Sequence, residues 1–188
     1  MDTDALHAEV IELARELIRI DTTNGNETPA AELLRDHLAA AGVTSELVAR
    51  DPRRANLVAR VPGSGDGPTL AFVGHLDVVP ADARDWTHPP FEAVVEDGFL
   101  FGRGAVDMKN EVAIRTVALA QLARDGFRPR GDLLLVMVAD EEDGAAKVGM
   151  EWLVDARPDL ACDFALNEGG GIRYGLSDGR TVVDLGVG

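Results

Sequence analysis

Four short groups of side chains suited to holding cations stand out along the chain: His75 with Asp77, Asp107, Glu141 with Glu142, and Glu168. His75, Glu141 and Glu168 each follow an apolar run of strand length, Leu70 to Val73, Leu133 to Ala139 and Phe164 to Leu166, while Asp107 opens a helical segment. A pocket of carboxylates around one histidine repels itself unless cations fill it, so these residue types point to a metal site able to activate water. In an extended segment His75 and Asp77 project to the same side, so the carboxylate can hold the imidazole in the tautomer a metal needs; a structural hydrogen bond is the plainer alternative. Glu141 and Glu142 diverge from a strand end, so one could bind a metal while the other faces a water; a solvated acidic turn with Asp140 and Asp143 is the other reading. Asp107 could instead cap the helix that begins near Met108, and Glu168, between Asn167 and three glycines, could serve only as a turn residue.

The elements that must position these groups follow from periodicity. Leu6, Val10, Leu13, Leu17 and Ile20 recur at steps of four and three, as on one face of a surface helix. Thr28 as a cap, Pro29 in the first turn and Gly42 as a stop frame a second helix that turns Leu33, Leu34 and Leu38 inward. Residues 56–61 and 69–74 read as strands joined by the glycine-rich turn 63–68, and Phe91 to Phe101 alternates like a hairpin around Asp97-Gly98. Asn110 to Arg124 is a helix apolar on most faces, through Val112, Ala113, Ile114, Val117, Ala118 and Leu122, and ends at Gly126. The unbroken run Leu133 to Val138 suits a central strand covered on both faces. A short helix at Gly149 to Val154 and strands at Asp163 to Leu166 and Thr181 to Val187 complete an α/β chain, expected as a three-layer sandwich with a mostly parallel or mixed central sheet. Strands lying side by side would bring the four groups to one edge, beyond the carboxyl ends where α/β sheets bind ligands.

Composition limits the chemistry further. A chain of 188 residues, 46% hydrophobic, can bury one sizeable core. The net charge of -15 argues against nucleic acid and against an anionic membrane surface, leaving small molecules or proteins as partners. The single cysteine, Cys162, cannot form an internal disulfide and is expected buried in a structural role. An acidic start, Met1-Asp2-Thr3-Asp4, is unlike a signal peptide, and no apolar stretch reaches the roughly 18 residues of a membrane span, so a soluble cytoplasmic protein is expected.

In order and context, Gly74-His75-Leu76-Asp77-Val78-Val79-Pro80, Gly102-Arg103-Gly104-Ala105-Val106-Asp107-Met108-Lys109, Ala139-Asp140-Glu141-Glu142 and Asn167-Glu168-Gly169 resemble the M20 family of metallopeptidases and amidohydrolases. That family includes aminoacylases, carboxypeptidases, acetylornithine deacetylase and succinyl-diaminopimelate desuccinylase. Residues 85–91, with Trp86, look more like its aminoacylase and carboxypeptidase branch. The resemblance implies a dinuclear centre in which His75 and Glu168 bind one metal, Glu142 binds the second and Asp107 bridges both. It makes Asp77 the residue that orients His75, and Glu141 the general base. Two zinc ions are implied, with cobalt or manganese also acceptable to carboxylate-rich sites, and the substrate would be a small N-acyl amino acid or peptide. Arg103 and Lys109 would balance charge or structure the loop.

Asn110 departs from the glycine common at that position in the family. The family also supplies a further histidine to the second metal from its carboxyl-terminal part, and Gly188 precedes any such residue. Residues 1–188 are therefore expected to form the amino-terminal part of a catalytic domain, without the lid or dimerisation domain and the carboxyl-terminal part; a homodimer of the full-length parent stays open. Little or no turnover is expected of these 188 residues alone. The alternative is a non-catalytic fragment that binds metal or a partner chain. A nucleotide-binding domain is disfavoured, because neither a Gly-x-Gly-x-x-Gly run nor a Walker loop is present.

Overall fold

The apolar runs pair side by side in a computed structural model, which describes residues 3–23, 25–168, 172–177 and 180–184. Strands β1 (Ser45–Val48), β2 (Asn56–Val61), β3 (Leu70–His75), β6 (Leu133–Val138) and β7 (Phe164–Leu166) form one sheet in the order β1-β2-β6-β3-β7. β1, β2 and β6 pair antiparallel, whereas β6, β3 and β7 run parallel, so the expected mixed sheet is the one observed. β6 is buried along its whole length, as an unbroken apolar strand requires. β1 was not anticipated; its four residues Ser-Glu-Leu-Val show no alternation long enough to read.

Successive β6 side chains point to opposite faces, and each face has its own cover. Leu133, Leu135 and Met137 pack with α1 (Thr3–Arg19), α2 (Thr28–Ala40) and α3 (Lys109–Arg124). Leu134, Val136 and Val138 pack with Leu153 of α4 (Met150–Ala156) on the other side. Helices, sheet and helix make the three-layer sandwich.

Several local expectations are refined. Thr28 does not cap α2, because it is already helical; Glu27 takes the capping position without a side-chain bond. The Thr28 hydroxyl instead donates to the Pro52 carbonyl and accepts from the Ala55 N–H, tying the helix start to the strand before the core. The helix ends as expected at Gly42, whose φ of 77° lets its N–H reach the Ala39 carbonyl. Ile114, one of the apolar residues that mark the helix in the sequence, is 50% exposed, since α3 buries the stripe of Val112, Ala113, Thr116, Val117 and Ala120 and leaves 114 and 118 beside Leu6, Val10 and Ile11 of α1. Leu33 is half-buried.

The hairpin is shorter than its alternating pattern, with β4 (Val94–Glu96) and β5 (Phe99–Phe101) joined through Asp97 and Gly98, both at positive φ, as an Asp-Gly turn demands. β8 (Ile172–Gly175) and β9 (Thr181–Asp184) pair in a separate ribbon, and positions 185–187 of the expected last strand lie outside the described residues. Cys162, expected buried, is exposed, because it sits in the connection that leads into the edge strand β7. Among the described residues, no helix is long and apolar enough to cross a membrane.

Leu135 is fully buried at the centre of β6 against the three-helix layer. Replacing it with alanine is expected to lower unfolding free energy by about 2–5 kcal/mol in urea titrations, whereas Ile11→Ala on the exposed rim of α1 should stay within about 1 kcal/mol. Equal losses at the two positions would contradict this assignment of the core.

Candidate metal centre

The three parallel strands end on one edge, and β3 lies between β6 and β7. His75 is therefore central, with the Glu141-Glu142 turn after β6 on one side and Glu168 after β7 on the other. The imidazole is 1% exposed, and its Nε2 lies 2.9 Å from Asp107 Oδ1, 3.5 Å from Glu168 Oε1 and 3.8 Å from Glu141 Oε2. Asp107 arrives from the segment before α3 across a cis peptide bond to Met108. It does not cap that helix: Met108 takes the capping position, without a side-chain bond.

Asp77 meets His75 through both its backbone and its side chain. The closest acceptor for His75 Nδ1 is the Asp77 backbone carbonyl at 2.9 Å, while its carboxylate stands at 3.5 Å. That carboxylate is occupied with the neighbouring turn: Oδ1 accepts the Glu141 N–H at 3.1 Å and Oδ2 the Glu142 N–H at 3.0 Å. One residue thus fixes the imidazole through its carbonyl and the two glutamates through its side chain.

The same turn is locked from below by polar groups that sequence reasoning missed. Asp140, at φ 60°, is buried; its carboxylate accepts the N–H groups of Ala146 and Val148 and the guanidinium of Arg54 at 3.1 Å. Arg54 also forks onto the fully buried Glu27, with Nη2 to Oε1 at 2.6 Å. Buried Asn56 accepts from the Ala139 N–H and donates to the Val148 carbonyl, closing both ends of loop 140–148. Gly149 completes the closure, since a Cβ there would stand 2.0 Å from the Ala139 carbonyl oxygen. Asp140 is no part of a solvated turn, and the one available sequence signal was its place beside the glutamate pair.

Lys109 is fully buried, and its ammonium donates to the Leu17 carbonyl at 2.9 Å and the Ile20 carbonyl at 2.7 Å. It ties the Asp107 segment to the carboxyl end of α1, where a cation suits the helix dipole. Burial lowers its pKa to about 8, against the pull of Asp21 and Asp77. Arg103 lies over the Trp86 ring, 5.2 Å from its centroid.

Electrostatics divide the acids of the site. Burial opposes ionisation of Asp77, yet its bonds to His75 and to the Glu142 and Glu141 N–H groups hold its pKa below the usual carboxylate range. Glu142 and Glu168 are pushed up, first by burial and then by the negative charge of Asp107 and its neighbours. Burial also works against a charged His75, but the surrounding carboxylates outweigh it and raise the imidazole to about 10.

Such a site, short of positive charge and rich in oxygen donors, suits divalent cations. Donor atoms of His75, Asp107 and Glu142 all lie within 4.8 Å of one another, as do those of His75, Glu141 and Glu168. Ligands about 2.0–2.2 Å from one zinc lie within roughly 4.4 Å of each other, so both triads are near that spacing. All six residues singled out from sequence are brought together. The triads group them differently from the resemblance, however, placing Glu142 with His75 and Asp107, and Glu168 with Glu141.

A family model described as peptidase family M20/M25/M40 matches residues 71–179. A probable succinyl-diaminopimelate desuccinylase from Staphylococcus epidermidis is 39% identical over 146 residues, covering 77% of this chain and 35% of that protein. The succinyl-diaminopimelate desuccinylase of Xanthobacter autotrophicus is 44% identical over 149 residues, covering 75% of this chain and 38% of its own. The chain thus spans little more than a third of the length of these curated relatives. Among solved structures, an M20 family metallo-carboxypeptidase from Sulfolobus solfataricus superposes with a TM-score of 0.71 at 23% identity, over 92% of this chain and 38% of that one. A dinuclear metal-binding peptidase of the M20 family from Bacillus subtilis gives 0.64 at 20% identity, over 89% and 43%. These two likenesses bear on the fold.

Arg54→Met would leave two buried carboxylates without their cation and is expected to cost about 3–5 kcal/mol of stability in urea unfolding; a loss under about 1 kcal/mol would contradict the structural role given to Arg54 between Glu27 and Asp140. A second prediction concerns pH in the metal-free chain. His75 holds its proton more tightly folded than unfolded, so its stabilising contribution is full below its unfolded value of 6.5 and is lost as pH rises towards 10. Glu142 and Glu168, raised above 4.5, act in the same direction from lower pH, since the unfolded chain releases their protons first. Asp77, lowered below 3.8, stabilises the fold above that pH and loses its effect on strong acidification. Lys109, lowered from 10.5 to about 8, acts in the opposite direction above pH 8, so with chelator present the urea midpoint is expected to fall between about pH 6.5 and 8, and His75→Gln should flatten that slope. A midpoint that rises across this interval would contradict the electrostatic account.

Proposed function

The chain belongs to peptidase family M20/M25/M40, and on that footing we propose that the complete protein hydrolyses an amide bond in an N-acyl amino acid or peptide at a two-metal centre. Residues 1–188 supply the amino-terminal part of its catalytic domain. The observation that carries this reading is the buried imidazole of His75 with the carboxylates of Asp107, Glu141 and Glu168 within 4 Å of its Nε2, at the ends of parallel strands. The desuccinylase names of the curated relatives favour an N-acyl amino acid, with a succinyl group one such acyl chain. They also weigh against the aminoacylase and carboxypeptidase branch that the Trp86 stretch suggested.

His75, Asp107, Glu142 and Glu168 hold the metal pair, with zinc the best match to one imidazole and several carboxylates. When bound, two divalent ions would make hydroxide available by lowering the pKa of water to near 7, and would polarise the scissile carbonyl. The protein supplies orientation and proton transfer. The Asp77 carbonyl keeps Nδ1 of His75 protonated, which leaves Nε2 as the donor atom. The Asp77 carboxylate aims both glutamates by holding their N–H groups. Glu141, about half-exposed at the mouth of the site, takes the proton of the attacking water and returns it to the leaving amine. A cleft of about 280 Å³ beside Glu142, walled by Val78, Val79 and Pro80, gives room for part of the substrate.

Elemental analysis of the purified chain after zinc loading is expected to find bound zinc in the wild type and almost none in His75→Ala. In the full-length protein, Glu141→Gln should keep its metal while amide hydrolysis falls by about 10²–10⁴-fold. Near-zero zinc in both wild type and His75→Ala would sink the reading.

A further inference from the structure

β3 and β7 stay in register for three rungs, Leu70 with Phe164, Ala71 with Ala165 and Phe72 with Leu166, and the ladder then stops. Two residues later Glu168 nevertheless stands 3.5 Å from His75 Nε2. Backbone pairing between β3 and β7 cannot place it there, because the next rung, Val73 with Asn167, is not formed.

A side chain from another layer occupies that rung. Arg115 projects from α3, its side chain only 12% exposed, and its guanidinium donates to the Val73 carbonyl of β3 through Nη1 and to the Asn167 carbonyl at 3.1 Å through Nη2. The same Nη2 pairs with Glu111 one helical turn earlier, which balances the charge and sets the fork. Val73 lies two residues before His75, and Asn167 lies immediately before Glu168. One rigid guanidinium therefore spans the two strand ends that deliver an imidazole and a carboxylate to the same site.

We propose that Arg115 is a positioning residue that sets the Glu168 carboxylate against His75 by replacing the missing β3–β7 rung. The proposal rests on the metal-centre reading above. A planar fork with donors on two nitrogens can hold two carbonyls at once, which the single ammonium of lysine cannot do in the same geometry. Partners that orient metal-binding groups typically alter affinity by about 10–100-fold when removed, and Arg115→Met should weaken zinc binding within that range.

Zinc affinity would be measured by titration calorimetry on the whole chain, below the melting temperature of every variant, with folding checked by circular dichroism. Arg115→Met is expected to raise the Kd by about 10-fold or more, and Arg115→Lys to recover only part of the loss. In a Glu168→Ala background, Arg115→Met should change the Kd by less than about twofold, since the group it positions is already gone. A merely structural arginine would lower the melting temperature and leave the Kd unchanged, which would overturn the proposal. So would an equal loss with and without Glu168, or full recovery by lysine. A wild type that binds no more zinc than His75→Ala fails at the earlier step and removes the metal-centre reading itself.

Discussion

An imidazole 1% exposed to solvent, with three carboxylates facing its Nε2 and a fourth beside Nδ1, is the interaction on which the rest of the molecule depends. Like charges this close disfavour one another's ionisation, and burial removes the water that would otherwise screen them. Two outcomes relieve the strain: the groups take up protons, or cations replace those protons. The metal-free chain takes the first course, with His75 held as imidazolium and with Glu142 and Glu168 pushed towards their neutral forms. The second course is the basis of the proposed chemistry, because the donor atoms already stand near the spacing of one coordination sphere.

Crowding of this kind persists only if the backbone around it is over-determined. Three parallel strand ends set the coarse placement, and polar groups beneath the sheet edge set the fine one. Asp77 holds His75 with its carbonyl and the glutamate turn with its carboxylate, while Arg54 joins Glu27 to Asp140 under that turn. Lys109 fastens the Asp107 segment to the end of α1. These carboxylates and cations are satisfied by fixed partners inside the protein, whereas Glu141, Glu142 and Glu168 face the site. The division between acids that build and acids that serve follows from which of them find N–H groups or guanidinium.

Much of this was legible beforehand because it depends on local pattern. The six apolar residues of Leu133 to Val138 identify a buried strand, and the positions of His75, Glu141 and Glu168 after such runs imply a common edge. The order of the four motifs identified the family. What could not be read depends on contacts between distant segments. Nothing near Arg54 announces that it meets Glu27 and Asp140, and Lys109 looks like any surface lysine until α1 is placed over it. The carbonyl of Asp77, not its carboxylate, lies nearest Nδ1, and side-chain type carries no signal of a backbone contact. Cys162 illustrates the opposite error: a small apolar side chain was expected inside, but the connection into an edge strand leaves it in solvent.

Crystals of the zinc-loaded chain, with diffraction collected on both sides of the zinc absorption edge, would test the central claim most directly. The account predicts anomalous density about 2.0–2.2 Å from His75 Nε2 and from an Asp107 carboxylate oxygen, with the Asp77 carboxylate still bonded to the turn. Zinc bound only at other surface acids, with His75 still directly hydrogen-bonded to Asp107, would contradict it.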